Sequence, residues 1–124
     1  MTAKRVLVTG GSGRIGAYVI RELMASWDVV NADIIPGTED VQFLETDVMD
    51  LDAVRRATKD VDAIIHLAGL DLHRNADPDQ FVHINTQGSW HVLQAAQENG
   101  VKKVVLSSSV AACGLSEMRP EWTP

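Results

Sequence analysis

The sequence has one cysteine, one tyrosine and no apolar run long enough to cross a bilayer. A lone thiol, Cys113, excludes an internal disulfide and any zinc site built on several cysteines. The apolar stretch Val6-Leu7-Val8 stops at Gly10, far short of the core of a secretory signal, and nothing approaches a membrane span. Positive charge is also in short supply: 11 Lys and Arg stand against 17 Asp and Glu, a formal net charge of −6. Phosphate backbones and acidic membrane surfaces are bound by clustered positive charge, so this balance argues against nucleic acid and membrane partners. No Gly-Lys-Ser or Gly-Lys-Thr follows the glycines near the N-terminus, which excludes a P-loop nucleotide hydrolase. What the 124 residues do contain is 45% hydrophobic and 23% charged residues, the balance of one ordinary globular domain. The expectation is a single cytoplasmic domain over residues 1–124, without a metal site.

Short β-type runs alternate with longer helical ones. Arg5-Val6-Leu7-Val8-Thr9 is rich in β-branched residues and ends on glycines, as a fully buried strand does. Over residues 14–26 the period changes. Ile15, Gly16, Val19, Ile20, Leu23 and Met24 make one stripe, which predicts an amphipathic helix. Strands follow at 29–33 and 41–45, the latter with the mixed pattern of an edge. Asp50 can cap a helix over 51–59, and 63–68 reads as a buried strand. Asp77-Pro78-Asp79-Gln80 combines an Asp cap, Pro at the first helical position and Gln three residues after the cap. The helix it starts runs to about Asn99, buries Phe81, Ile84, Val92 and Ala96, and stops at Gly100. The fifth strand is 101–107. Strands separated by helices imply an α/β fold with a parallel sheet of about five strands, whose ligands bind at the strands' carboxyl ends.

Thr9-Gly10-Gly11-Ser12-Gly13-Arg14-Ile15-Gly16 sits between a strand and a helix, where a glycine pattern is informative. Gly10 permits a tight turn, Gly13 lets the backbone approach a pyrophosphate, and Gly16 lets the helix pack closely. The N–H groups that open the helix then face the anion, which the helix dipole favours. Asp33 ends the second strand, where a carboxylate accepts hydrogen bonds from an adenosine ribose. A 2′-phosphate there meets a like charge, a repulsion of roughly 4 kcal/mol per unit charge at about 4 Å and an effective dielectric of about 20. Ile34, Ile35 and Pro36 follow, so no arginine is placed to neutralise it. NAD is expected over NADP.

The spacing Gly10-x-x-Gly13-x-x-Gly16 departs by one residue from the G-x-G-x-x-G form. It resembles the extended short-chain dehydrogenase/reductase family of NAD-dependent epimerases, dehydratases and uronate dehydrogenases. The resemblance continues in order through Asp47-Val48, His66-Leu67-Ala68-Gly69, Asn85-Thr86-Gln87-Gly88, and Ser107-Ser108-Ser109 with Gly114. It implies a Rossmann-type sheet and a cofactor site of Gly10, Gly13, Arg14, Ile15, Gly16, Asp33, Asp47, Val48, Leu67, Ala68, Gly69 and Asn85. By that resemblance Asp47 contacts the adenine amino group and Val48 packs on the ring. Leu67, Ala68 and Gly69 line the central ribose, and Asn85 bonds near the nicotinamide. Ser109 is the catalytic-side match, holding the oxygen of a sugar-type substrate.

Two departures stand out. Cys113 replaces a tyrosine common in relatives and reads as a small packing residue. The family's hydride chemistry uses a Tyr-x-x-x-Lys pair on the helix after the fifth strand. Here the only tyrosine, Tyr18, is followed at the fourth position by Glu22. The expectation is a sheet ending before the sixth strand, with cofactor affinity and no useful turnover; a non-catalytic NAD-binding or interaction module is the alternative. Of the histidines, His66 is in a buried strand, His83 and His91 are on the long helix, and only His73 is on the ligand-facing edge. In the relatives that the resemblance implies, the helix 78–99 packs with the helix missing here, so Val82 and Trp90 are expected to be exposed; with an open edge at Val104-Val105-Leu106 this predicts self-association.

Overall fold

The computed structural model describes residues 4–71, 75–109 and Ala112. His73, Cys113, Gly114 and the tail 119–124 lie outside them. Strand β1, Arg5–Thr9, leads to helix α1, Arg14–Leu23, and then to β2, Asp28–Asp33, and β3, Gln42–Glu45. Helix α2, Leu51–Ala57, precedes β4, Ala63–His66. A helical stretch then runs as α3, Pro78–Phe81, a π-helical segment, Val82–Gln87, and α4, Gly88–Glu98, before β5, Lys103–Leu106.

The five strands form one parallel sheet in the order β3-β2-β1-β4-β5. β1 is central because its three apolar residues are buried on both faces. Leu7, with Val30 and Ile64, packs against α2 and α4 through Val54, Val92, Ala95 and Ala96. Val6 and Val8 join Val29, Ala63 and Ile20 of α1 on the other face. Continuous apolar runs are what a sheet covered on both sides demands. Among the described residues no helix is long and apolar enough to cross a membrane.

The expected helix over 78–99 is corrected by the structure, which divides it. The Ser89 hydroxyl donates to Asn85 O at 2.6 Å, four residues back, and the Gly88 N–H reaches His83 O, five residues back. A side chain that takes an i−4 carbonyl competes with the helical ladder, and here the turn widens. Phe81 and Ile84 are only half-buried as a result, while Val92 and Ala96 are in the core. The first helix ends at Leu23 rather than at residue 26, and the chain leaves it through a tighter turn in which the Ser26 N–H takes Leu23 O three residues back. Of its expected stripe, Ile15 in the first turn and Met24 at the C-cap are exposed. The cap signals hold: Asp50 accepts the N–H groups of Asp52 and Ala53, and the Gln80 side chain accepts the Asp77 N–H at 3.0 Å.

Candidate functional site

Parallel strands send all their following loops to one edge of the sheet, and the candidate residues gather there. At the end of β1 the chain reverses on Gly10, whose φ is +69°. Its N–H donates to Ala32 O of β2 and its carbonyl accepts the Gly13 N–H, closing the turn between β1 and α1. The turn is packed to its limit from below. A Cβ at Gly10 would lie 2.6 Å from the Ala68 nitrogen, and one at Gly16 would strike Gly10 O. Gly16 thus admits α1 onto the turn itself, and Gly11, to which the sequence assigned no role, is as tightly enclosed. Gly13 is different: it is exposed, and one backbone oxygen at 3.2 Å is all that its Cβ would meet.

Arg14 and Ile15 open α1 with no side-chain cap and no acidic residue in the first turn. An uncapped helix start beside bare glycine backbone suits an anion. Asp33 lies across the turn. One of its oxygens accepts the Ser12 N–H at 3.0 Å, and the other the Ile34 N–H at 2.7 Å. The carboxylate is thereby oriented at the rim, with the exposed Ile34 and Ile35 beside it. An oriented carboxylate 21 residues beyond Ser12 and an open anion cradle together fit the adenosine and pyrophosphate of a dinucleotide.

The loop after β4 is tied to β1 through Thr9, whose carbonyl accepts the Leu67 N–H at 3.1 Å. Thr9 Oγ1 accepts the N–H groups of Leu67 and Ala68 at 3.2 and 3.3 Å. With two donors on that oxygen, its own proton goes to His66 Nδ1, 2.6 Å away. His66 Nε2 then carries the ring proton and donates to Ser89 Oγ at 3.0 Å, and Ser89 donates to Asn85 O. The Thr9 bond needs an unprotonated Nδ1 and so a neutral imidazole, and burial pushes the His66 pKa down to about 4. Asn85 itself clasps Leu70, donating to its carbonyl at 2.9 Å and accepting its N–H at 2.7 Å. Its carboxamide also lies against Gly69, where a Cβ would be 3.0 Å from Oδ1.

Gly10, Gly13, Arg14, Ile15, Gly16 and Asp33 therefore form one connected rim, and Leu67, Ala68, Gly69 and Asn85 a second that meets it at Gly10. Asp47 stands after β3, accepting the Met49 N–H in a turn. Val48 is 6% exposed and packs into the core under Gly88. Ser109 follows β5, its carbonyl accepting the Ala112 N–H. Sequence reasoning missed Thr9, Asn31 and Ser89. The signal for the first two was a polar residue closing or interrupting an otherwise apolar strand. Among the described residues no cluster of His, Cys, Asp and Glu could hold a metal ion.

Comparison with known proteins gives this geometry its context. Residues 6–123 match the model of the NAD dependent epimerase/dehydratase family. UDP-glucose 4-epimerase of Bacillus subtilis (strain 168) is 33% identical over 93% of this chain and 39% of its own length. Uronate dehydrogenase of Pseudomonas syringae pv. tomato is 32% identical over 85% of this chain, again 39% of its own. Among solved structures, a short-chain dehydrogenase/reductase superfamily protein from Agrobacterium tumefaciens with bound NAD is 30% identical. It superposes with a TM-score of 0.82 over 97% of this chain and 36% of that one. The chain thus spans about two fifths of the length of the relatives it matches.

Proposed function

The chain belongs to the NAD dependent epimerase/dehydratase family, and from that premise we propose that its glycine turn and Asp33 bind NAD. It is then the cofactor-binding portion of an oxidoreductase or epimerase acting on a sugar, a uronic acid or a nucleotide sugar. The epimerase and uronate dehydrogenase similarities support that substrate class. The observation that carries the reading is the bare, uncapped start of α1 at Gly13, facing the carboxylate that Ser12 and Ile34 orient.

In this reading the amides around Gly13 hold the pyrophosphate and Asp33 the adenosine ribose. Leu67, Ala68 and Gly69 border the central ribose, at a strand end that Thr9 fixes. Asn85 acts on the nicotinamide side by holding Leu70 in place. Asp47 and Val48 stand toward the adenine, Asp47 at the surface and Val48 from beneath. When bound, NAD supplies a hydride acceptor; Ser109 would hold the substrate oxygen. The 124 residues contain one tyrosine, Tyr18, with Glu22 at the fourth position beyond it. A phenol of pKa about 10 works as a base near neutrality only beside a cation, so we propose cofactor binding without turnover for this chain alone.

Calorimetric titration with NAD tests the binding. One molecule of NAD per chain is expected, competed by ADP-ribose. A chain that is folded by circular dichroism yet silent at millimolar NAD overturns the assignment. Sustained reduction of NAD with any of a panel of sugars and uronic acids overturns the proposed lack of turnover.

A further inference from the structure

Asn31 is a polar residue in the middle of β2, with 2% of its surface exposed. It stands two residues before Asp33 and so on the same side of the strand. Its Nδ2 donates to Ser12 Oγ at 2.9 Å, and the Ser12 hydroxyl donates to Ile35 O at 2.6 Å. That direction is forced, because a hydroxyl that gives its proton to a carbonyl must receive from the carboxamide. Among the described residues Asn31 Oδ1 has no hydrogen-bond partner. It faces Gly11, while Nδ2 would be 3.0 Å from a Cβ at Gly37. An apolar residue of the same size would fill this space without an orphaned carbonyl, so packing does not explain the asparagine. Its donor does: it aims Ser12, which in turn holds Asp33 through its N–H and Ile35 through its hydroxyl.

We propose that Asn31 and Ser12 are positioning residues that set the preference for NAD over NADP, by locking the loop after β2 to the glycine turn. The inference rests on the NAD-binding reading above. A 2′-phosphate beside the ribose needs Asp33 to swing away and residues 34–37 to open. Ser12 blocks both movements, and Asn31 keeps Ser12 from turning. Arg21 holds the far end of the same loop through its ion pair with Glu39 at 2.8 Å, so the loop is pinned at both ends.

The test compares dissociation constants for NAD and NADP, by calorimetry, in the wild-type chain, Asn31→Leu and Ser12→Ala. Thermal melts establish which variants fold; Ser12 lies nearer the surface, so Ser12→Ala decides if Asn31→Leu does not fold. The expected result is a ratio of NADP to NAD dissociation constants that falls at least tenfold in each folded variant. Amide hydrogen exchange at Ile34, Ile35 and Gly37, read without cofactor, rises in the same variants. Equal weakening of both cofactors, or unchanged exchange, overturns the inference while leaving the NAD site standing. A wild-type chain that binds neither dinucleotide overturns the site and this inference together.

Discussion

Gly10 and Gly100 share almost one backbone conformation, with φ of +69° and +68°, but their surroundings differ. Around Gly10 a Cβ meets three backbone atoms of residues 67 and 68 within 2.8 Å, whereas around Gly100 it meets nothing within 4 Å. Gly100→Ala therefore carries only the left-handed strain, about 1 kcal/mol. Gly10→Ala adds overlap with backbone that has nowhere to go, and about 3 kcal/mol is expected. Urea denaturation of the two variants checks the difference. His66 supports a prediction in pH. Its folded pKa of about 4 is below the ordinary 6.5, so between those values the unfolded chain binds the proton and the fold does not. Stability from this group is complete above about pH 6.5 and is lost as pH falls toward 4, on the order of 3 kcal/mol in all. His66→Gln should flatten that part of the curve of unfolding free energy against pH. An unchanged slope would mean that the ring titrates freely in the fold.

At the scale of elements, the helical stretch after residue 77 shows where pattern reading succeeds and where it stops. Its start was legible, because Asp77, Pro78 and Gln80 act on neighbours within one turn. The π-helical segment was not: it follows from Ser89 and Asn85 reaching His66 and Leu70, partners 23 and 15 residues away. The same limit hid Thr9, whose bond to His66 spans 57 residues, although the glycine turn beside it was plain from local spacing. Register between elements can be tested at Gly88, where a Cβ would stand 2.7 Å from Val48 Cγ2. Alanine gains about 1 kcal/mol over glycine in a helix, but overpacking a β-branched neighbour costs about 1–3 kcal/mol. Gly88→Ala should be destabilising in the wild-type chain and stabilising by about 1 kcal/mol in a Val48→Ala background. A double-mutant cycle from denaturation curves measures that change of sign; additive effects would show that α4 yields at this contact.

For the whole molecule, the order β3-β2-β1-β4-β5 matches the first five strands of the Rossmann-type sheet that the family resemblance implied. What the order leaves at the periphery has consequences for association. β5 has β4 as its one described neighbour, and its Val105 and Leu106 are exposed. On another surface Trp90 is 65% exposed and Val82 61%, with Leu93 also at the surface. An unpaired strand edge recruits a further strand through its backbone groups, and large exposed apolar side chains recruit each other. The two can be separated. A charge at Val105 discourages edge pairing without touching the helical surface, and Trp90→Lys does the reverse. Sedimentation velocity on the 124-residue chain should show a mean coefficient that rises with concentration. Trp90→Lys should reduce that rise more than Val105→Lys, because Lys102 and Lys103 already place charge beside the edge. A larger effect of Val105→Lys would make the open sheet the stickier surface, and a coefficient independent of concentration would mean that neither surface associates.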